Sequence, residues 1–140
     1  MIQTKQTVLL WLAALLPASL FKVAMANKAV EATSGIFMDG AFTLGEDTVN
    51  LISYVVAAVL AIAASLVFKN RDLQVKLSMA SLLAYLILFP LSAFLAVKGM
   101  EVSPGIGGIA VIAVSVILLY LSIRFIKKDI ETVRSMDRLR

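Results

Sequence analysis

The chain has no cysteine and no histidine. Without cysteine there is no disulfide, no thiolate metal site, no lipid-anchored N-terminal cysteine and no cysteine nucleophile. Without histidine, the commonest metal ligand and the commonest general base near neutral pH are gone as well. Charge is also scarce: 16% of the 140 residues are charged and 61% are hydrophobic. A soluble domain has about a quarter charged and about half apolar residues. One small core cannot absorb this surplus, whereas a bilayer can. The net charge is +4, but the basic residues flank apolar runs, as membrane topology requires. No nucleic-acid partner and no cofactor are expected.

Four stretches carry no charge at all: residues 6–21, 48–68, 77–97 and 102–123. Spanning a hydrocarbon layer of about 30 Å takes about 20 helical residues at about 1.5 Å each. The last three runs meet that length directly. The first is shorter, and Lys22 at its end can snorkel to the interface. The expected organisation is a single all-α membrane domain, 1–140, built as a bundle of four transmembrane helices. Its spans are 7–26, 51–68, 77–97 and 106–126. Its loops are 27–50, 69–76 and 98–105, and an amphipathic tail helix covers 127–140. Asp39-Gly40 lies between two apolar segments and favours a two-residue turn, so a small β-hairpin is expected at 36–44. With four spans, one side of the membrane holds ten of the 13 basic residues and the other holds Lys22, Lys28 and Lys98. The positive-inside rule then makes both termini cytoplasmic and the 27–50 loop periplasmic.

Ala24-Met25-Ala26 follows an apolar run and a lone lysine, as a secretory cleavage site would. Cleavage after Ala26 would leave three spans in the same orientation, and Pro17 would suit the end of a signal's apolar region. Against cleavage, the run VLLWLAALLPASLF is 14 residues long, at the upper end for a signal. Multi-span proteins also usually insert through an uncleaved first helix. The residues favour retention and leave the question open.

Ionisable groups at membrane depth point to function, and only Lys22 comes near a span. The four charge-free runs contain no carboxylate, which argues against proton-coupled carriers such as small multidrug exporters. The intramembrane hydroxyls, among them Ser53, Tyr54, Ser78, Ser81, Tyr85 and Ser92, are expected to bond carbonyls of the preceding turn or of a neighbouring helix. A serine hydrolase lacks its base. A Ser–Lys dyad could use only Lys22, Lys69 or Lys76, and no local motif supports it. No enzymatic activity and no catalytic, cofactor or metal residue are expected.

Small residues four apart let helices approach closely: Ala57 and Ala61, Ala80 and Ala84, Ala14 and Ala18. Gly105, Gly107 and Gly108 open the last helix. These faces serve either the chain's own bundle or another protein. Pro90 should kink the third span. In the tail, Ile126, Ile130, Val133 and Met136 recur at steps of 4, 3 and 3, forming an apolar stripe on a helix that leaves the last span. Such a helix either lies on anionic headgroups or forms a seam with a cytoplasmic partner.

The start MIQTKQTVLLWLAALL and the end IKKDIETVRSMDRLR resemble a small membrane-protein family of Bacteroidota, domain of unknown function 4293. The matching positions are Met1, Ile2, Gln3, Gln6 and Thr7, then Lys128, Asp129, Val133, Arg134, Ser135, Asp137, Arg138 and Arg140. Thr4 stands where the family usually has Arg, and Lys5 keeps a positive charge nearby. The resemblance implies four spans, an uncleaved first helix and a Gram-negative inner membrane. It implies no activity, because the family has none assigned. Gln3, Gln6, Lys128, Asp129, Val133, Arg134, Asp137 and Arg138 become the candidate interaction residues. One expected patch joins Gln3 and Gln6 to Asp137 and Arg138. The expected function is a non-enzymatic accessory or assembly subunit of a larger inner-membrane complex, surrounded by lipid. The alternative is a small homo-oligomeric transporter or channel.

Overall fold

The computed structural model describes residues 2–27, 40–99 and 102–138. Each apolar run forms a helix. Helix α1 (Ile2–Leu15) tightens into a 3₁₀ segment, Leu16–Phe21, where Pro17 has no N–H to give the preceding turn. Helix α2 (Thr48–Leu66) starts at Asp47, whose carboxylate accepts from the Asn50 N–H at 2.8 Å. Helix α3 (Arg71–Leu83) starts at Asn70, whose side-chain carbonyl accepts from the Leu73 N–H at 3.2 Å. Both caps satisfy an N–H that the first turn leaves without a helical partner. The third span continues through a π-helical segment, Ala84–Leu88, into α4 (Phe89–Ala96). The expected disturbance at Pro90 takes this form: the missing N–H and the ring are accommodated by one widened turn. Helix α5 (Ile106–Asp137) has 32 residues. At about 48 Å it outruns a hydrocarbon layer of about 30 Å.

Four helical segments are long and apolar enough to cross a membrane. Among the described residues, α1 packs mainly against α5 and α2, and α3 packs against α2 and α5. Large apolar side chains such as Trp11, Phe94 and Ile117 remain exposed around the bundle, a surface that suits lipid rather than water. The buried apolar residues form two clusters. One contains Leu10, Ala57, Ala61, Tyr85 and Leu119. The other contains Leu20, Met25, Phe42, Leu44 and Phe89.

The chain differs from expectation at the connections. The expected loop 69–76 is mostly helix, because Asn70 caps α3 at Arg71. The expected hairpin 36–44 lies outside the described residues at 36–39. Gly40 takes the positive φ of a turn, 75°, but the strand that follows, β2 (Ala41–Phe42), pairs with β1 (Ala26–Asn27). β1 also pairs with β3 (Ser103–Pro104), so a three-stranded antiparallel sheet runs β2-β1-β3. Pro104 is tolerated because β3 is an edge strand. The sheet closes one end of the bundle, here termed the loop end. The opposite end, where α1 begins and α5 finishes, is the tail end.

Candidate functional site

At the tail end, α5 continues past the other helices and faces the turn between α2 and α3. A groove of about 470 Å³ lies between them. One wall is the turn and the start of α3: Lys69, Asn70, Arg71 and Asp72. The other is the tail: Ile130, Val133, Arg134 and Asp137. The Arg71 guanidinium forms an ion pair with the Asp129 carboxylate at 2.5 Å, which ties the start of α3 to α5. The groove therefore has an apolar strip bordered by charges of both signs. Such a lining can hold a polypeptide with complementary charges. It contains no histidine or cysteine to act as nucleophile or base.

The candidate interaction residues do not form one patch. Val133, Arg134 and Asp137 line the groove, whereas Asp129 does not and meets it only through its ion pair with Arg71. Lys128 lies with Lys5 and Thr132 in a separate recess of about 210 Å³ between α1 and α5. Arg138 does not line the groove but sits with Glu131, Ser135 and the groove residue Arg134 in an adjoining recess. Gln6 is buried, and its backbone carbonyl accepts from the Ser122 hydroxyl at 3.4 Å. The side chain of Gln3 lies outside the described residues. The expected junction of Gln6 with Asp137 and Arg138 is therefore corrected. Gln6 sits at the level of Ser122, and Asp137 is about 22 Å further along α5 at 1.5 Å per residue. The tail stripe fades along its length in the same way. Ile126 is buried, whereas Val133 and Met136 are 43% and 62% exposed.

The small-residue positions separate by role. Ala57, Ala61 and Ala84 are buried within the bundle. Ala80 is exposed, so Ala80 and Ala84 do not pack together inside this bundle. The inward face of this span is centred on Gln74, Ser78, Ser81 and Tyr85, all of them buried. Gly107 and Gly108 serve the chain itself. A Cβ on Gly107 would meet the Val23 side chain, and one on Gly108 would meet the Met25 Cα at 2.8 Å. Gly105, which donates its N–H to the Met25 carbonyl at 2.9 Å, has no room for a side chain beside the Ala24 carbonyl. The glycines thus seat the Val23–Met25 segment against the start of α5.

Residues 2–139 match the family described as "Domain of unknown function (DUF4293)". The chain belongs to this family. The match spans the bundle from α1 to the tail, so the groove and the glycine seat both fall within the DUF4293 region. No curated protein and no solved structure matches the chain.

Two features escaped the sequence. The Arg71–Asp129 pair joins residues 58 positions apart, and no local pattern announces it. The inward polar face of α3 did leave a signal: positions 74, 78, 81 and 85 follow steps of 4, 3 and 4, the spacing of one helical face.

Proposed function

We propose that this protein is a non-enzymatic accessory or assembly subunit of a larger protein complex in the bacterial inner membrane, with both termini cytoplasmic. The carrying observation is the tail-end groove. There α5 outruns its own bundle and leaves Val133 beside Arg134 and Asp137, opposite Lys69 and Asp72. A free-standing four-helix protein gains little from an overhang with an exposed apolar edge. A partner that covers it gains buried apolar area and charge pairing together. The distribution of basic residues supports the cytoplasmic placement. Retention of α1 belongs to the same proposal, because Leu10, Ala13 and Ala14 are buried in the shared core.

The test is native co-purification in mild detergent, with a tag in the 28–39 segment so that both ends stay free. The expected result is a larger membrane protein recovered in fixed proportion, and its loss from the double variant Arg134→Ala, Asp137→Ala. Arg138→Ala, outside the groove, should retain the partner. Recovery of the chain alone as a defined oligomer would replace this reading with a homo-oligomeric transporter or channel.

A further inference from the structure

The recess of about 210 Å³ at the tail end has walls from two helices. Lys5 comes from α1, and Phe125, Lys128, Asp129 and Thr132 come from α5. Its depth in the bilayer follows from the sequence. At this end of the bundle the first and last charge-free runs stop at Lys5 and at Arg124, so both helices leave the hydrocarbon here. They are also in step, because the Ser122 hydroxyl donates to the Gln6 carbonyl at 3.4 Å. With a rise of about 1.5 Å per residue, Lys5 lies about 1.5 Å and Lys128 about 9 Å beyond that level. The recess therefore sits where acyl chains give way to headgroups.

Its charge is unbalanced. Asp129 is the one acid in the lining, and its carboxylate is already paired with Arg71 of α3. Lys5 and Lys128 are exposed, and neither has an ion-pair partner among the described residues. The Thr132 hydroxyl donates back to the Lys128 carbonyl at 2.9 Å. Two uncompensated ammonium groups thus face the recess, one from each wall. Phe125, 41% exposed, stands three residues nearer the membrane centre on the same side of α5 as Lys128. The larger recess on the other side of Lys128 lacks this design. It is lined by α5 alone, and it includes the Glu131 carboxylate, which repels an anion.

We propose that the recess between α1 and α5 is a binding site for an anionic phospholipid. The phosphate sits between the Lys5 and Lys128 ammonium groups, and an acyl chain runs over Phe125 toward the membrane centre. Basic residues at the membrane surface each attract an anionic headgroup, and a basic recess between helices concentrates that attraction. A free phosphate in solution would use the lysines and leave Phe125 uncovered. A lipid uses both, and the bilayer supplies it at this depth. The recess shares no lining residue with the groove, so this inference is independent of the partner proposed there.

The experiment is native mass spectrometry of the intact protein released from detergent, with phosphatidylglycerol or phosphatidylcholine of identical chains added. Phosphatidylglycerol should bind more tightly than phosphatidylcholine. The double variant Lys5→Gln, Lys128→Gln should weaken phosphatidylglycerol binding by about tenfold to thirtyfold. Lys5→Arg with Lys128→Arg keeps both charges and should retain it. Lys22→Gln removes an exposed lysine at the opposite end of the first span and should change little. Excess inorganic phosphate should not displace the lipid. Equal binding of the two lipids overturns the proposal, as does a double Gln variant that binds like the parent chain. So does an equal loss in the Arg variant or in Lys22→Gln. Displacement by inorganic phosphate would make the site one for a free anion and overturns the lipid assignment.

Discussion

Gly105 stands where a side chain has no room. A Cβ there would lie 2.3 Å from the Ala24 carbonyl oxygen, a backbone atom that cannot swing aside. Gly105→Ala should therefore destabilise the protein by about 1–3 kcal/mol, the usual range for overpacking, measured as a fall in Tm in detergent. The Ser92–Asn50 bond is a second single-residue test. It links the third span to α2 inside the apolar loop-end cluster. Ser92→Ala removes the hydroxyl shared between the Asn50 side-chain carbonyl and the Phe89 carbonyl and leaves the Asn50 carbonyl without its donor. The expected loss is about 1 kcal/mol, within the range measured for interhelical hydrogen bonds in membranes. Ser115→Ala, whose hydroxyl bonds only its own helix at Val111, should lose less.

At the scale of elements, side-chain caps mark the starts of two helices, Asp47 for α2 and Asn70 for α3. Asn70→Ala removes the cap that begins α3 at Arg71 and should cost about 1 kcal/mol. It should also loosen the turn that carries one wall of the groove. The other wall depends on the ion pair between α3 and α5. In a double-mutant cycle, Arg71→Ala and Asp129→Ala should couple by about 1 kcal/mol or less, because the pair is only partly buried. That coupling should shrink with added salt if the pair is reached by solvent. Coupling that persists at high salt would mean the pair is shielded between the helices. The extended α5 was legible as a long amphipathic run. Its meeting with the α2–α3 turn was not, because the pairing spans 58 residues and carries no periodic signal.

At the scale of the whole molecule, the Ala24-Met25-Ala26 triplet is part of the fold rather than a loose junction. Met25 and Ala26 are buried, Ala26 belongs to the central strand of the sheet, and Gly105 bonds the Met25 carbonyl. Removing residues 1–26 would strip α1 from both α2 and α5 and unseat the start of α5. The truncated chain should fail to give a monodisperse species in detergent, judged by size-exclusion chromatography. Mass spectrometry of the full-length product should recover peptides N-terminal to Lys22. A mature N-terminus at Asn27 would contradict retention and remove one of the four spans.

The sequence by itself determined the class of the protein. Four uncharged runs of near-spanning length leave a membrane bundle as the economical solution, because each backbone polar group in lipid must be satisfied within a helix. It also located the tail as the patterned end, through charge and a helical apolar repeat. Both signals are local, written in neighbouring residues and in short periods. Tertiary structure alone decided which faces turn inward and which residues meet. Ala80 and Ser81 are adjacent in sequence, and a rotation of about 100° about the helix axis puts one outside and the other in the core. Composition cannot choose between them, since both are small. The same holds for β1: two residues at the end of the first span receive strands from two distant loops. That junction exists only because the bundle brings those loops to one end.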